Sequence, residues 1–170
     1  FEERLNQLES DLVAVPPRIS TYSELPCALF RYDPADEWKL RRELQKLATR
    51  LGNQRKRVEM VSLAEFVWKA IDESEGMEPV VQLETMEGWE AAQRQVNVYL
   101  SDSEFPNLPN SVADRLVELR PNADLVFLWR AGSLAPGMYL LSKLLDELTG
   151  RLSIPTVLFY PGVDEGGLRF

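Results

Sequence analysis

Four polar side chains, Asp33, Arg130, Ser133 and Tyr160, each stand at or just beyond the end of a short apolar run. If those runs are strands of a parallel sheet, all four lie at its carboxyl edge, where open α/β sheets bind ligands. A carboxylate, a guanidinium, a hydroxyl and a phenol could then hold a small anion or nucleotide in a shared crevice. Each also has a plainer role. Asp33, followed by Pro34, suits a helix N-cap, as does Ser62 after a second run. Arg130 could pair with an acidic neighbour, and Gly132 and Gly162 read as turn residues needing unusual backbone angles.

The chemistry that residue types exclude is clearer. The 170 residues contain no histidine, so neither a Ser-His-Asp nor a Cys-His site can be built from this chain. The only cysteine is Cys27, so an internal disulfide is impossible and a zinc site would have to rely on Cys27 plus carboxylates. No G-x-x-x-x-G-K-[ST] and no G-x-G-x-x-G follows a strand-like run. Asp164-Glu165-Gly166-Gly167 is a glycine turn with no helix signal after it, and Asp72, Glu73, Glu75 and Glu78 lack the loop glycine and terminal glutamate of a calcium hand. We therefore expect no catalysis, no cofactor and no metal.

The elements that must position these residues follow from apolar spacing. Phe1, Leu5, Leu8 and Leu12 fall at helical intervals, predicting an N-terminal helix over residues 1–15 that Pro16-Pro17 ends. Ala28–Tyr32, Val58–Val61, Asp124–Trp129 and Thr156–Tyr160 read as strands, and Leu168–Phe170 as the start of a fifth. Leu40, Leu44, Leu47 and Leu51 stripe one helix, with Gly52 as its C-cap. Ser62-Leu-Ala-Glu65 reads as a capping box opening another. Residues 75–120 contain no good strand. Glu87–Leu100 predicts a helix with Trp89, Ala92, Val96 and Tyr99 on one side, and Ser111 a cap for the next. Met138–Leu148 predicts a last helix, closed by Gly150. Strands separated by helices imply parallel pairing. The near-continuous apolar character of Leu125–Trp129 and Val157–Tyr160 implies burial on both faces. The expectation is one α/β domain spanning residues 1–170. It has three layers, a mainly parallel sheet of four to five strands flanked by helices, and a helical insertion between the second and third strands.

Charge is unevenly placed. The net charge is −8, and Asp72–Glu104 alone carries nine acidic residues against the single base Arg94. Lys39–Arg57 carries eight bases. Within it, Arg41, Arg50, Arg55, Lys56 and Arg57 are candidates for local contact with DNA, although the acidic balance of the whole chain disfavours non-specific binding. Otherwise the two segments make solvated helix faces or a dipolar surface that steers a partner. Two apolar features are candidate partner surfaces: the Phe1/Leu5/Leu8/Leu12 stripe and the acidic insertion with Trp89. The stripe could equally pack on its own domain. No apolar run approaches bilayer length, and no secretory pattern opens the chain. The lone cysteine favours a reducing compartment, so a cytoplasmic protein is expected. The chain lacks an initiator Met and stops inside an apolar run, which suggests trimming at both ends.

Taken together, several of these pieces resemble one family. Ala123–Leu134 (A-D-L-V-F-L-W-R-A-G-S-L), a helix, Ile154–Val163 (I-P-T-V-L-F-Y-P-G-V) and Leu168-Arg-Phe170 occur in that order, as in the BrxB family of bacteriophage exclusion (BREX) systems. Ala28–Asp36, the charged helix after it and the strand at Val58–Leu63 are similar to that family too, so the resemblance runs from about residue 20. Its sharpest motif is Phe159-Tyr-Pro-Gly162 with the glycine turn and L-R-F that follow. The resemblance implies a non-enzymatic component of a multi-protein anti-phage complex, with no catalytic residues to carry over. It implies other BREX proteins as partners: an alkaline-phosphatase-like PglZ protein, a methyltransferase and an ATPase, with PglZ the expected direct contact.

Overall fold

The structure, a computed structural model, describes residues 1–19, 21–22, 25–135 and 137–163. The expected glycine turn at Asp164–Gly167 and the strand at Leu168–Phe170 lie outside the described residues. Five strands, β1 (Thr21–Tyr22), β2 (Leu25–Tyr32), β3 (Arg57–Ser62), β4 (Asp124–Trp129) and β5 (Thr156–Pro161), form one sheet in the order β1-β2-β5-β4-β3. β1 pairs antiparallel with β2, and the other four strands are all parallel. The α/β class, the parallel sheet and its flanking helices are as the sequence predicts.

Seven helices complete the described chain: α1 (Glu2–Val13), α2 (Glu37–Asn53), α3 (Leu63–Glu73), α4 (Met77–Glu87), α5 (Trp89–Ser101), α6 (Leu108–Leu116) and α7 (Leu141–Leu148). The route from β2 to β3 crosses the sheet to its far edge, and β3→β4→β5 returns toward β2. Crossovers between parallel strands are right-handed, so outward and return journeys must place their helices on opposite faces. The core divides accordingly. On one face, the leucine stripe of α2 and Leu5 and Leu12 of α1 pack on Phe30, Leu125, Phe127, Val157 and Phe159. On the other, α3, α5, α6 and α7 pack on Cys27, Val61, Val126, Leu128 and Leu158. The alternation along β4 and β5, with both sets buried, is why these strands read as unbroken apolar runs. The helical insertion between β3 and β4 is α4–α6, with α3 leading into it.

Several local expectations are corrected. Helix α2 runs past Gly52 to Asn53, and the left-handed residue at its end is Arg55 (φ 64°). Ser62 makes no capping bond. It stays in strand register opposite Trp129, with its hydroxyl buried, so the S-x-x-E pattern is not used as a box. Asn107, not Ser111, caps α6, accepting from the Asn110 amide at 3.1 Å; Pro109 in the first turn removes one of the free donors. Helix α7 begins at Leu141 rather than Met138, because Asn97 of α5 donates to the Met138 carbonyl and holds that segment out of the helix. The sequence reading missed α4, which buries only Val80 and so shows almost no apolar stripe. Trp89 leaves its predicted side of α5: Ala92, Val96 and Tyr99 are buried, whereas Trp89 is 52% exposed.

Candidate functional site

The carboxyl edge of the sheet is where the four predicted crevice residues belong, and of the four only Tyr160 lines the groove found there. Asp33 follows β2 and accepts from the Ala35 amide at 2.9 Å, capping a single 3-10 turn over Pro34–Asp36. Ser133 turns its hydroxyl back to the Arg130 carbonyl at 2.8 Å, closing the turn after β4. Arg130 adopts the left-handed conformation (φ 59°), and its guanidinium lies over the Trp129 ring at 6.0 Å. Gly132 and Gly162 do not occupy that region of backbone space. At Gly162 the missing side chain serves close approach, since a Cβ there would meet the Tyr160 ring at 3.2 Å, whereas a Cβ on Gly132 would make only an ordinary contact with Pro161 at 3.5 Å. Tyr160 itself faces the opposite layer from Trp129.

Two separate features result. On the α1/α2 side, Tyr32 donates its hydroxyl to Glu37, and Glu37 accepts from Arg41 at 2.8 Å. Arg41 lies over Trp38 at 4.5 Å and over Trp129 at 5.7 Å. Burial, reinforced by the Glu37 carboxylate, pushes the Tyr32 phenol well above its ordinary range, so it remains a donor. The Trp129 indole N–H is buried and has no hydrogen-bond partner among the described residues. Trp38 is 73% exposed and caps this aromatic–guanidinium stack. The sequence signal for it was available: Trp38 sits off the leucine stripe of α2, on its polar face.

On the α7 side, the sheet is only partly covered. β2 sends Cys27 into the core beneath α7, but Leu29, two residues on, is 62% exposed. Leu29, Leu158 and Tyr160 form the floor of a groove of about 660 Å³ whose wall is Ala131–Leu134, Tyr139 and Leu140–Leu145. Its lining is mainly apolar, and burial keeps the Tyr139 phenol protonated well into the alkaline range, so the wall there carries no charge. A second groove of about 640 Å³ meets the first at Gly137 and is lined by Trp89, Glu90, Gln93, Arg94, Asn97 and Val98 of α5.

The other candidate residues are dispersed. Leu5 and Leu12 are buried, and Phe1 and Leu8 pack on the same core, so the N-terminal stripe is occupied by its own sheet. The five candidate DNA-contacting bases do not form one patch. Arg41 is held by Glu37 at the start of α2, and Arg50 pairs with Glu9 of α1 at 2.7 Å. Lys56 reaches the Asn122 carbonyl at 3.4 Å, Arg57 approaches Glu59 at 4.0 Å, and Arg55 turns the chain toward β3 at the opposite end of the sheet from Arg41. Among the described residues, no group of three or more His, Cys, Asp and Glu is placed to hold a metal ion, and no helix is long and apolar enough to cross a membrane.

The family motif has a clear structural meaning. Phe159 is fully buried between Phe30 and Phe127, with ring centroids at 5.4 and 5.2 Å. Tyr160 and Pro161 line the groove, and the Gly162 amide donates to the Tyr32 carbonyl at 2.8 Å, fastening β5 to β2. No curated protein and no solved structure matches this chain. Residues 59–170, which hold the motif, three of the four parallel strands and the whole helical insertion, match the family model for the BREX protein BrxB. The chain belongs to the BrxB family, a component of BREX phage defence.

Proposed function

We propose that the chain is a non-catalytic adaptor of the BREX complex, acting in the cytoplasm and binding the PglZ-type component through its surface. The observation that carries this reading is the placement of its tryptophans. Three of the four, Trp38, Trp68 and Trp89, are more than half exposed. Exposed tryptophan is costly in water and is among the residues most enriched where partners dock. Leu29, Leu140 and Tyr160 add apolar surface around the first groove. The test is co-purification from cells expressing the whole BREX set with this chain tagged. Stoichiometric recovery of the PglZ-type protein supports the reading. Recovery of the other components without it overturns the choice of partner.

A second reading rests on Arg41 and Arg130 over the Trp129 ring at the carboxyl edge: a regulatory subunit that binds a nucleotide or other small anion there. A thermal-shift screen with nucleotides separates the two readings. A stabilisation that disappears in Arg130→Ala favours the ligand, and no shift with any nucleotide removes it.

A further inference from the structure

The partly covered sheet face and the acidic insertion meet at one place. The first groove exposes Leu29, Leu140 and Tyr160; the second exposes Trp89 and Val98; and the two join at Gly137. Asn97 fastens α5 to the Met138 carbonyl, so the second groove is braced against the wall of the first. The result is a track running from β2 across α7 to α5, mainly apolar in the first groove and mixed in the second, where Trp89 and Val98 stand beside Glu90, Gln93, Arg94 and Asn97. Its far end is acidic. Glu90 lines the track beside one base, Arg94, and residues 84–90, from the last turn of α4 into the first turn of α5, are exposed throughout, carrying Glu84, Glu87 and Glu90 beside Met86. Residues 72–104, which run from the end of α3 to just past α5, carry nine acids against Arg94 and so match the net charge of the whole chain.

We infer that this track docks a basic amphipathic segment of a partner protein, with apolar side chains filling the first groove and reaching Trp89 and Val98 in the second, and Lys or Arg residues set against Glu84, Glu87 and Glu90. Charge decides between occupants. A second copy of this chain would bring one acidic rim against another, and like charges juxtaposed at an interface oppose association. A basic segment gains both apolar burial and attraction, an arrangement seen where amphipathic helices lie in hydrophobic grooves. The inference rests on the adaptor reading, because it supplies the surface by which that adaptor would hold its partner.

Two measurements test it separately from the choice of partner. In the first, a fluorescent Lys/Leu amphipathic peptide and its Glu/Leu counterpart are titrated against the chain. Binding of the basic peptide alone is expected, weakened at least tenfold by Leu29→Asp with Leu140→Asp, and weakened again by Glu87→Lys with Glu90→Lys. All four residues are exposed, so unchanged melting temperatures are expected to show that the variants fold. Equal binding of both peptides, or binding that survives the Leu29→Asp/Leu140→Asp pair, overturns the inference. In the second, the same variants enter the BREX co-purification, with Gln45→Ala, an exposed position on α2, as a variant of the opposite face. Loss of whichever component is recovered in the groove variants, but not in Gln45→Ala, supports the inference even if that component is not the PglZ type. Recovery of the PglZ-type protein by the groove variants at the wild-type level overturns the inference and leaves the adaptor reading standing.

Discussion

The two faces of this sheet use the same strands for different ends. Toward α1 and α2, Phe30, Phe127 and Phe159 stack beneath four buried leucines of α2, and the layer reaches from β2 across to β4. Toward α7, the helices cover β3, β4 and the first residues of β2, then stop short of Leu29 and Tyr160. The sealed face holds the fold together, whereas the open face offers apolar surface that the described fold does not use. The difference follows from topology. α2 must pass over the sheet from one edge to the other, while α3–α7 accompany short steps between neighbouring strands and have no reason to reach the β2 edge.

If this contrast is right, damage to the sealed face should be severe. Phe159→Ala removes the ring shared by Phe30 and Phe127 and should cost about 3–5 kcal/mol in urea unfolding. A change below about 1 kcal/mol would mean the stack is not the core of this layer. The boundary between the covered and open parts of the other face can be read from Cys27. Its thiol is buried, and desolvation pushes its pKa up to about 11. The raised value means the folded state keeps a proton that the unfolded chain releases, so this group's contribution to stability declines as pH rises from about 9 toward 11, by roughly 2 kcal/mol. The alkaline loss should be smaller in Cys27→Ala. A disulfide-exchange reagent should label the wild-type thiol at pH 8 only after denaturant is added.

Within the insertion layer, Asn107→Ala removes the cap of α6 and should cost about 1 kcal/mol, measured by thermal unfolding. Ser111→Ala, whose hydroxyl reaches only the Pro106 carbonyl at 3.3 Å, should cost less; the reverse order would restore the predicted cap. The smallest effect belongs to the open face. Leu140 is 68% exposed, so Leu140→Asp should change stability by no more than about 0.5 kcal/mol while weakening partner binding. A large loss of stability would show that the open groove is part of the core after all.

Much of this was legible in the chain itself. Apolar runs identified all four parallel strands to within a few residues, because a strand buried on both faces has no polar side to dilute its signal. The leucine stripe identified α2, and the absence of histidine bounded the chemistry before any fold was known. Phe159-Tyr-Pro-Gly162 marked the strand that fastens β5 to β2 and lines the groove. What the sequence could not supply was strand order. The same four strands could be wound in several orders, and only the order β2-β5-β4-β3 puts β5 between β2 and β4, so that Tyr160 and Pro161 line a groove with Leu29 of β2 and the turn after β4. Which apolar residues remain exposed was equally a tertiary decision. Leu5 and Leu29 are the same amino acid in comparably apolar segments, yet one is buried by its own sheet and the other is left bare where the helices end. Hydrophobicity is local to a residue, but burial depends on which distant segment arrives to cover it.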